Sequence, residues 1–391
     1  MSHSGSGFSA RSGVDREPNA VARKLEQLRQ IGRPLLDLTI GNPTTVGLGR
    51  AASEILPPLA TSRALTYEPS PFGPNFAREA AADTFRELGV DPSPEHLVMT
   101  ASTSEAYSFL LKLLCDPGDE VLVPAPSYPL LEHLARFEAV VTRPYRLAYD
   151  GAWHIDFESL RAALGPRSRA VLVVNPNNPT GSYLTRDELA RLVALGLPLI
   201  SDEVFASYPL EASPGCVRSV LEASGGLSFA LSGLSKLVAL PQMKLAWLAV
   251  GGEEARVREA LSRLELIADA FLSPSAPALH ALPAWLAGRS AFHAALSERL
   301  SRNLEALTRL LAGSAVSRLR VEGGWYAALR LPATDSDEAW ALGLLEDTGV
   351  VVHPGYFFDF EGPPHVVVSL IAEEATFTEA VGRLRAYVAS R

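Results

Sequence analysis

The sequence predicts an α/β protein with a large doubly wound domain, built on a mainly parallel sheet, and a smaller α+β domain. Short apolar strands alternate with helical patterns through the first two-thirds of the chain. One of these strands, residues 170–174, is entirely apolar, as in a parallel sheet covered on both faces. From about Glu253 the pattern changes to long helices followed by short strands, which predicts the second domain.

The composition narrows the class of protein. The chain has 391 residues and a hydrophobic content of 47%, enough for a large core and more than one domain. A formal charge of −9 gives no basic face, so we expect no nucleic-acid partner. No apolar run approaches the roughly 20 residues of a membrane span. Residues 1–19, rich in Ser, Gly and Arg, predict a disordered arm or terminal extension and no signal peptide.

The cysteines, the histidines and the absence of several motifs exclude further classes of protein. Cys115 and Cys216 cannot build a disulfide framework and are typical of a reducing compartment, which predicts a cytoplasmic protein. The eight histidines lie far apart, so we expect no metal site. The chain has no Walker loop, no Gly-x-Gly-x-x-Gly after a strand, no Gly-x-Ser-x-Gly and no His-Glu-x-x-His.

The sequence predicts that the chain is divided into three parts. Residues 1–44 predict an N-terminal arm and a helix that packs with the small domain, residues 45–275 the large domain, and residues 276–391 the small one. The strand at 35–40 ends at Gly41, where backbone can approach a ligand or simply turn. Tyr67, in a Pro-rich loop before the helix at 75–88, is either a packing residue or a donor to a ligand.

A strand at 97–100 leads through small hydroxylic residues into the apolar helix at 107–114. Backbone N–H groups, hydroxyls and the helix dipole converge at such a junction and favour an anion. Ser102 and Glu105 also have the spacing of a capping box, and both interpretations can hold together.

The next strands end in further polar or aromatic residues. The strand at 120–123 precedes Pro126-Ser127-Tyr128-Pro129, the apolar strand at 170–174 precedes Asn178, and the strand at 197–200 precedes Asp202. Between them, a strand is predicted at 139–142, followed by a segment at 145–149, and helices are predicted at 156–164 and 186–195. Ligands of open α/β sheets bind at the carboxyl ends of strands, so these residues are candidates for one site.

The strand at 227–231 delivers Ser235 and Lys236. A lysine that forms a Schiff base needs a desolvated amine with anion-binding groups nearby. Most loop lysines are merely solvated, and this stretch alone does not exceed that expectation. Six candidates nevertheless collect beyond strand ends and predict a single site: Ser102, Thr103, Tyr128, Asn178, Asp202 and Lys236.

The second domain is predicted from alternating helical and extended patterns. They comprise helical patterns at 253–270 and 276–313, strands at 319–321 and 325–329, a helix at 336–346, strands at 350–352 and 365–370, and a final helix at 375–389.

From about Leu36 to the C-terminus, these residues resemble the fold-type-I pyridoxal-phosphate enzymes, specifically the class I/II aminotransferases of the aspartate aminotransferase type. Each motif is weak alone, but their order and spacing are specific. The motifs are Tyr67 to Gly73, Thr100 to Glu105, Pro126 to Pro129, Asn178-Pro179-Thr180-Gly181, Asp202-Glu203 and Ser235-Lys236.

The resemblance implies pyridoxal phosphate as cofactor and three catalytic residues. Lys236 would form the Schiff base and shuttle the proton, and Tyr128 would stack on the cofactor ring. Asp202 would keep the ring nitrogen protonated, as a buried carboxylate can. Glu203 would point the opposite way in an extended segment.

The remaining roles concern the phosphate, the substrate and a second subunit. Asn178 would bond the ring 3′-oxygen and, with Gly41, contact the substrate. Tyr67 would reach the phosphate of the neighbouring subunit, which implies a homodimer with shared active sites. The implied phosphate ligands are Ser102, Thr103, Ser104, Ser235 and Lys244.

Four positions depart from the family pattern. Lys244 replaces an arginine and loses its bidentate fork. Gly233 replaces a serine. Phe205 replaces a tyrosine, which should raise the pKa of the cofactor-linked nitrogen. Val367 stands where an arginine would grip the substrate carboxylate, so either another cation holds that group or the donor lacks it.

The resemblance therefore implies transfer of an amino group from an amino donor to a 2-oxo acid or related carbonyl acceptor. A pyridoxal-phosphate lyase or decarboxylase on the same scaffold is the first alternative. A cofactor-binding protein without turnover is the second, made conceivable by the four departures.

Overall fold

The computed structural model of the protein describes residues 7–13 and 17–391. The predicted N-terminal arm therefore falls partly on residues 1–6 and 14–16, which lie outside the described residues. The described α-helices are α1 Ala20–Gln30, α2 Ala52–Ile55, α3 Asn75–Arg86, α4 Thr103–Leu114, α5 Leu130–Phe137, α6 Phe157–Ala163, α7 Arg186–Val193, α8 Leu234–Leu237, α9 Glu254–Phe271, α10 Ala276–Ala287, α11 Arg289–Leu311, α12 Asp337–Gly343 and α13 Glu374–Ala389.

The described strands form three sheets, of which the largest has the order β2-β9-β8-β7-β6-β3-β4-β5. A second has the order β10-β11-β14-β13, and β1 pairs with β12. The strands are β1 Leu36–Asp37, β2 Leu97–Thr100, β3 Glu120–Ala125, β4 Val141–Tyr149, β5 Trp153–Ile155, β6 Ser168–Val174, β7 Leu199–Asp202, β8 Leu227–Gly233, β9 Ala246–Gly252, β10 Ser317–Arg318, β11 Tyr326–Arg330, β12 Val350–Val351, β13 His353–Pro354 and β14 His365–Ser369.

The large sheet confirms the predicted mainly parallel, doubly wound architecture. Strands β4, β3, β6, β7 and β8 run parallel in that order. Strand β9 is antiparallel to both of its neighbours, β2 and β8. One apolar cluster joins the sheet to α3 and α10, and another joins it to α4 and α9. Every residue of the central strand β8 is consequently buried.

The small sheet is antiparallel and packs on α11 and α13, which confirms the predicted α+β character of the second domain. Ala327 and Leu329 of β11, with Val366 and Val368 of β14, point into this third cluster. Because side chains alternate along a strand, the other residues of both strands, including Tyr326, face the opposite way.

The packing bears on where the domains meet. Leu282 and Trp285 of α10 belong to the large-domain cluster, whereas Phe292 of α11 belongs to the small-domain cluster. The division at residue 276 stays a prediction, and this packing favours one near Gly288. Val21 and Leu28 of α1 lie in the small-domain cluster.

Two elements differ from expectation. The helical pattern at 276–313 is two helices, because the chain turns at Gly288, where a Cβ would lie 2.7 Å from Arg50 Nη2. The strand expected at 139–142 and the segment 145–149 belong to one strand, β4, and β5 pairs with it as an unpredicted hairpin partner.

Asn303 of α11 should carry part of the stability of the small domain. It is buried, and its Nδ2 donates to the carbonyl oxygens of Leu370 and Ala372, both at 2.8 Å. We expect Asn303→Leu to destabilise the protein by about 1–3 kcal/mol, because a buried carbonyl loses its donor. Urea unfolding measures this, with the exposed Glu305→Gln of the same helix as control. Equal stability of N303L and wild type would contradict the assignment.

Candidate active site

The register of the large sheet brings the candidate residues to one edge. Val174 at the end of β6 pairs with Asp202 at the end of β7, and Asp202 pairs with Leu231 of β8. Lys236 follows five residues after Leu231, in α8. These carboxyl ends lie side by side, so Asn178, Asp202 and Lys236 emerge at the same edge.

The antiparallel strand β9 adds the phosphate-site candidates to this edge. Its first residue, Ala246, pairs with both Gly233 at the end of β8 and Thr100 at the end of β2. Lys244 precedes Ala246 by two residues, and Ser102 follows Thr100 by two. The structure thus places Lys244 and the start of α4 next to each other.

Lys236 has the surroundings of a desolvated amine. Its Nζ donates to the Gly41 carbonyl oxygen at 3.1 Å and lies 5.0 Å from the Trp325 ring centre and 5.7 Å from that of Phe205. Burial lowers the pKa of Lys236, and the charge of Asp202 partly opposes this. An amine with a lowered pKa is more often unprotonated near neutral pH, as a nucleophile or base must be.

Asp202 and Glu203 point to opposite sides, as expected for an extended segment. Oδ2 of Asp202 accepts from the Tyr107 hydroxyl at 3.0 Å, and Oδ1 accepts from the Val204 N–H at 3.2 Å. Burial raises the pKa of Asp202, while these bonds and Lys236 lower it. Oε1 of Glu203 accepts instead from the Val220 N–H at 2.8 Å, and burial raises its pKa to about 8.

The start of α4 both caps the helix and leaves hydroxyls unpaired. Ser102 Oγ accepts from the Glu105 N–H at 3.1 Å, and Glu105 Oε2 accepts from the Ala101 N–H at 2.7 Å. The side chains of Thr103 and Ser104 form no hydrogen bond within the described chain. The predicted capping and anion-binding interpretations are therefore compatible.

Tyr128 and Tyr67 are both exposed. Tyr128 has an exposed fraction of 49%, and its ring lies 6.5 Å from Phe358, whose carbonyl accepts from the Ser127 N–H at 2.9 Å. Tyr67 is 74% exposed and lines a cavity of about 250 Å³ with Leu272. The Tyr128 ring is thus free to cover a ligand, and the Tyr67 ring is free to contact a second molecule.

Comparison with known proteins gives a family. A sequence model described as "Aminotransferase class I and II" matches residues 33–384. The chain belongs to the class I and II aminotransferases. It is 27% identical over 385 residues to the alanine aminotransferase of Mycobacterium tuberculosis H37Rv, covering 95% of this chain and 89% of the relative. It is 26% identical over 362 residues to the glutamate-pyruvate aminotransferase AlaA of Escherichia coli K12, covering 88% of each chain.

Solved structures of aminotransferases share the fold. The alanine aminotransferase of Pyrococcus furiosus superimposes with a TM-score of 0.87 at 25% identity, over 98% of this chain and 100% of that one. A mutant of the aspartate aminotransferase of Thermus thermophilus gives a TM-score of 0.81 at 27% identity, over 97% and 99% of the two chains. The protein is therefore a pyridoxal-phosphate-dependent aminotransferase of fold type I, acting on amino acids and keto acids.

The residues present fit this cofactor. The amide of Asn178 has no hydrogen-bond partner among the described residues, and its Oδ1 is buried. Its neighbour Asn177 is satisfied, since its Nδ2 donates to Pro126 and Thr180. A buried polar group without a partner is costly, so Asn178 is placed for a polar atom of a ligand. Among the described residues no group of side chains could hold a metal ion, and no helix is long and apolar enough to cross a membrane.

The four departures from the aminotransferase pattern have structural counterparts. A Cβ at Gly233 would lie 2.8 Å from the Cβ of Ala246, so a serine has no room there. Phe205 is buried, edge-on to Trp325 at 5.2 Å. Val367 is fully buried. Lys244 is exposed and has a left-handed backbone (φ 49°).

Sequence reasoning missed two tyrosines of this aminotransferase site. Tyr107 bonds Asp202, and the Tyr326 hydroxyl lies 2.5 Å from where a Gly41 Cβ would be. Helical periodicity could have placed Tyr107 on the sheet-facing side of α4, and strand alternation could have separated Tyr326 from the small-domain core. Neither pattern could have named the partner across more than 90 residues.

We expect Tyr107→Phe to weaken cofactor binding about tenfold, because a hydrogen bond to a charged group contributes about 1.5–3 kcal/mol. Without the hydroxyl the pKa of Asp202 should rise, which disfavours the carboxylate. Absorbance titration of the apoprotein with pyridoxal phosphate measures the affinity.

Tyr145→Phe is the matched control for this variant. The Tyr145 hydroxyl is also buried but donates to the Leu172 carbonyl at 2.8 Å, so its loss should lower stability and leave cofactor affinity unchanged. Equal affinity of Y107F and wild type would contradict a role of Tyr107 at Asp202.

Proposed function

We propose that Lys236, Asp202 and Tyr128 are the catalytic residues of this aminotransferase. The observation that carries the proposal is the half-buried Lys236 amine beside Gly41, with its lowered pKa, at the strand edge where Asp202 ends β7. Bound pyridoxal phosphate supplies an electron sink for the reacting carbon of the substrate. Lys236, whose pKa is lowered by burial, would accept the proton of that carbon and return it.

The other residues hold the cofactor and orient it. Asp202, supported by Tyr107 and Val204, would keep a proton on the cofactor ring nitrogen. Tyr128 would cover one face of the ring, and Asn178 would donate a hydrogen bond to its 3′-oxygen. Ser102, Thr103, Ser104, Ser235 and Lys244 hold the phosphate, supported by the dipole of α4 and by the unpaired hydroxyls at its start.

The names of the relatives support specific substrates. Alanine and glutamate are proposed as amino donors and pyruvate as an acceptor, because the relatives are named alanine and glutamate-pyruvate aminotransferases. A cytoplasmic location is proposed on the two free cysteines, Cys115 and Cys216.

Borohydride reduction tests the site. Reduction fixes the cofactor on the lysine that holds it, and peptide mapping should find the phosphopyridoxyl group on Lys236. Lys236→Ala should carry no such group. Lys244→Ala is the control: its adduct should remain on Lys236 while more cofactor is needed to form it. An adduct on Lys244 in the wild type, or none, would overturn the assignment.

A homodimer with shared active sites is also proposed. Tyr67, at 74% exposure, and Leu272, at 70%, form part of an exposed apolar surface around one cavity, and such surfaces mark interfaces. Tyr67 of one subunit would then reach the phosphate of the other.

We expect light scattering to give twice the chain mass of 41.9 kDa. Leu272→Glu should shift the protein towards monomer and lower cofactor affinity, because a charge is then buried at the interface. Ile31→Glu, at 75% exposure on another element, is the control and should change neither. A monomeric wild type with full cofactor affinity would contradict the proposal.

A further inference from the structure

Two polar groups beside Lys236 have no partner. The Tyr326 hydroxyl and the Gly41 N–H form no hydrogen bond within the described chain. They are close neighbours, since a Cβ on Gly41 would lie 2.5 Å from the hydroxyl oxygen. The hydroxyls of Tyr107 and Tyr208, by contrast, donate to Asp202 and to the Lys236 carbonyl.

Gly41 is held in position from both sides. The Ser369 hydroxyl donates to the Ile40 carbonyl at 2.6 Å, and the Ser369 N–H donates to the Leu38 carbonyl at 2.7 Å. The Gly41 carbonyl receives the Lys236 amine. Ser369 in turn pairs with Tyr326 in the small sheet. The unpaired Gly41 N–H is therefore part of a fixed backbone next to the Lys236 amine, and the unpaired Tyr326 hydroxyl lies beside it.

The surrounding face of the small sheet offers no cation close by. Val367, fully buried, has Ala328 and His353 as its cross-strand partners. Burial lowers the pKa of His353, so its ring favours the neutral form. Arg330 shares a face of β11 with Tyr326 but lies four residues away, which is about 13 Å along a strand.

We propose that the Tyr326 hydroxyl holds the substrate carboxylate next to the reacting carbon, where Val367 leaves no cation. It would act together with the N–H of Gly41, which the family resemblance already implies as a substrate contact. This inference rests on the proposed function of Lys236. Tyr326 is then a substrate-binding residue, and the grip on the carboxylate is made by uncharged donors. Gly41 is required because any side chain there would displace the Tyr326 hydroxyl.

The chemistry of the two donors suits this task. Burial, with a contribution from Tyr128, raises the pKa of Tyr326 to about 12, so the hydroxyl keeps its proton through the neutral range. A carboxylate that accepts hydrogen bonds from backbone and hydroxyl donors is stabilised in its charged form. The ring of Tyr326 packs edge-on against Phe205, with ring centres 6.3 Å apart.

Tyr326→Phe tests the proposal on the holoenzyme. Loss of one hydrogen bond to a charged group should raise KM for alanine about 10- to 100-fold with little change in kcat. The dissociation constant of propanoate, the alanine skeleton without its amine, should rise equally. Turnover of ethylamine, which lacks a carboxylate, should not change. The hydroxyl has no partner in the free protein, so a purely structural role predicts no effect on any of these.

Tyr145→Phe is the control and should leave KM and propanoate binding as in wild type. An unchanged propanoate dissociation constant in Y326F, or the same loss with ethylamine as with alanine, would overturn the inference. A wild type that converts neither amine would overturn the proposed function instead. Propanoate titration would then still decide the role of Tyr326, because it requires no turnover.

Discussion

The desolvation of one half-buried amine and one half-buried carboxylate at the same sheet edge is the constraint on which the site depends. Lys236 and Asp202 attract each other, yet the pKa of the lysine is lowered and that of the aspartate is raised. Desolvation thus outweighs the attraction for both groups, as it does for many buried ion pairs. In the proposed function, a protonated ring nitrogen of the cofactor would give Asp202 a partner and leave Lys236 free to act as a base.

Helix α4 links two parts of the cofactor site. Its first turn has the unpaired hydroxyls of Thr103 and Ser104, and its next turn has Tyr107, which donates to Asp202. A helix packed on the sheet through Phe109 and Leu110 cannot shift one of these ends without the other. The proposed phosphate site and the support of the Asp202 carboxylate are therefore held at a fixed separation by one rigid element.

Much of this arrangement could be predicted from the sequence, because strand ends are local features. Apolar runs located the strands that deliver Asn178, Asp202 and Lys236, and parallel sheets bring such ends together. The hairpin partner β5 and the break at Gly288 were missed, since three residues make a weak strand signal and the apolar spacing continues across the break. Tyr107 and Tyr326 could not be assigned because their partners are set by helix packing and by the docking of the small domain.

The register of the small sheet explains why valine in place of arginine at position 367 changes how the substrate carboxylate is bound. Tyr326 pairs with Ser369 and Ala328 pairs with Val367, so one face of β11 and β14 presents a hydroxyl beside an apolar wall. A guanidinium at Val367 would need several donors satisfied in a fully buried position, whereas valine needs none. The recognition of a charged group then passes to donors that are already fixed by the backbone, at Gly41, and by the sheet, at Tyr326. Uncharged donors bind a carboxylate less tightly than a bidentate arginine does, and they discriminate less sharply against substrates that lack a carboxylate.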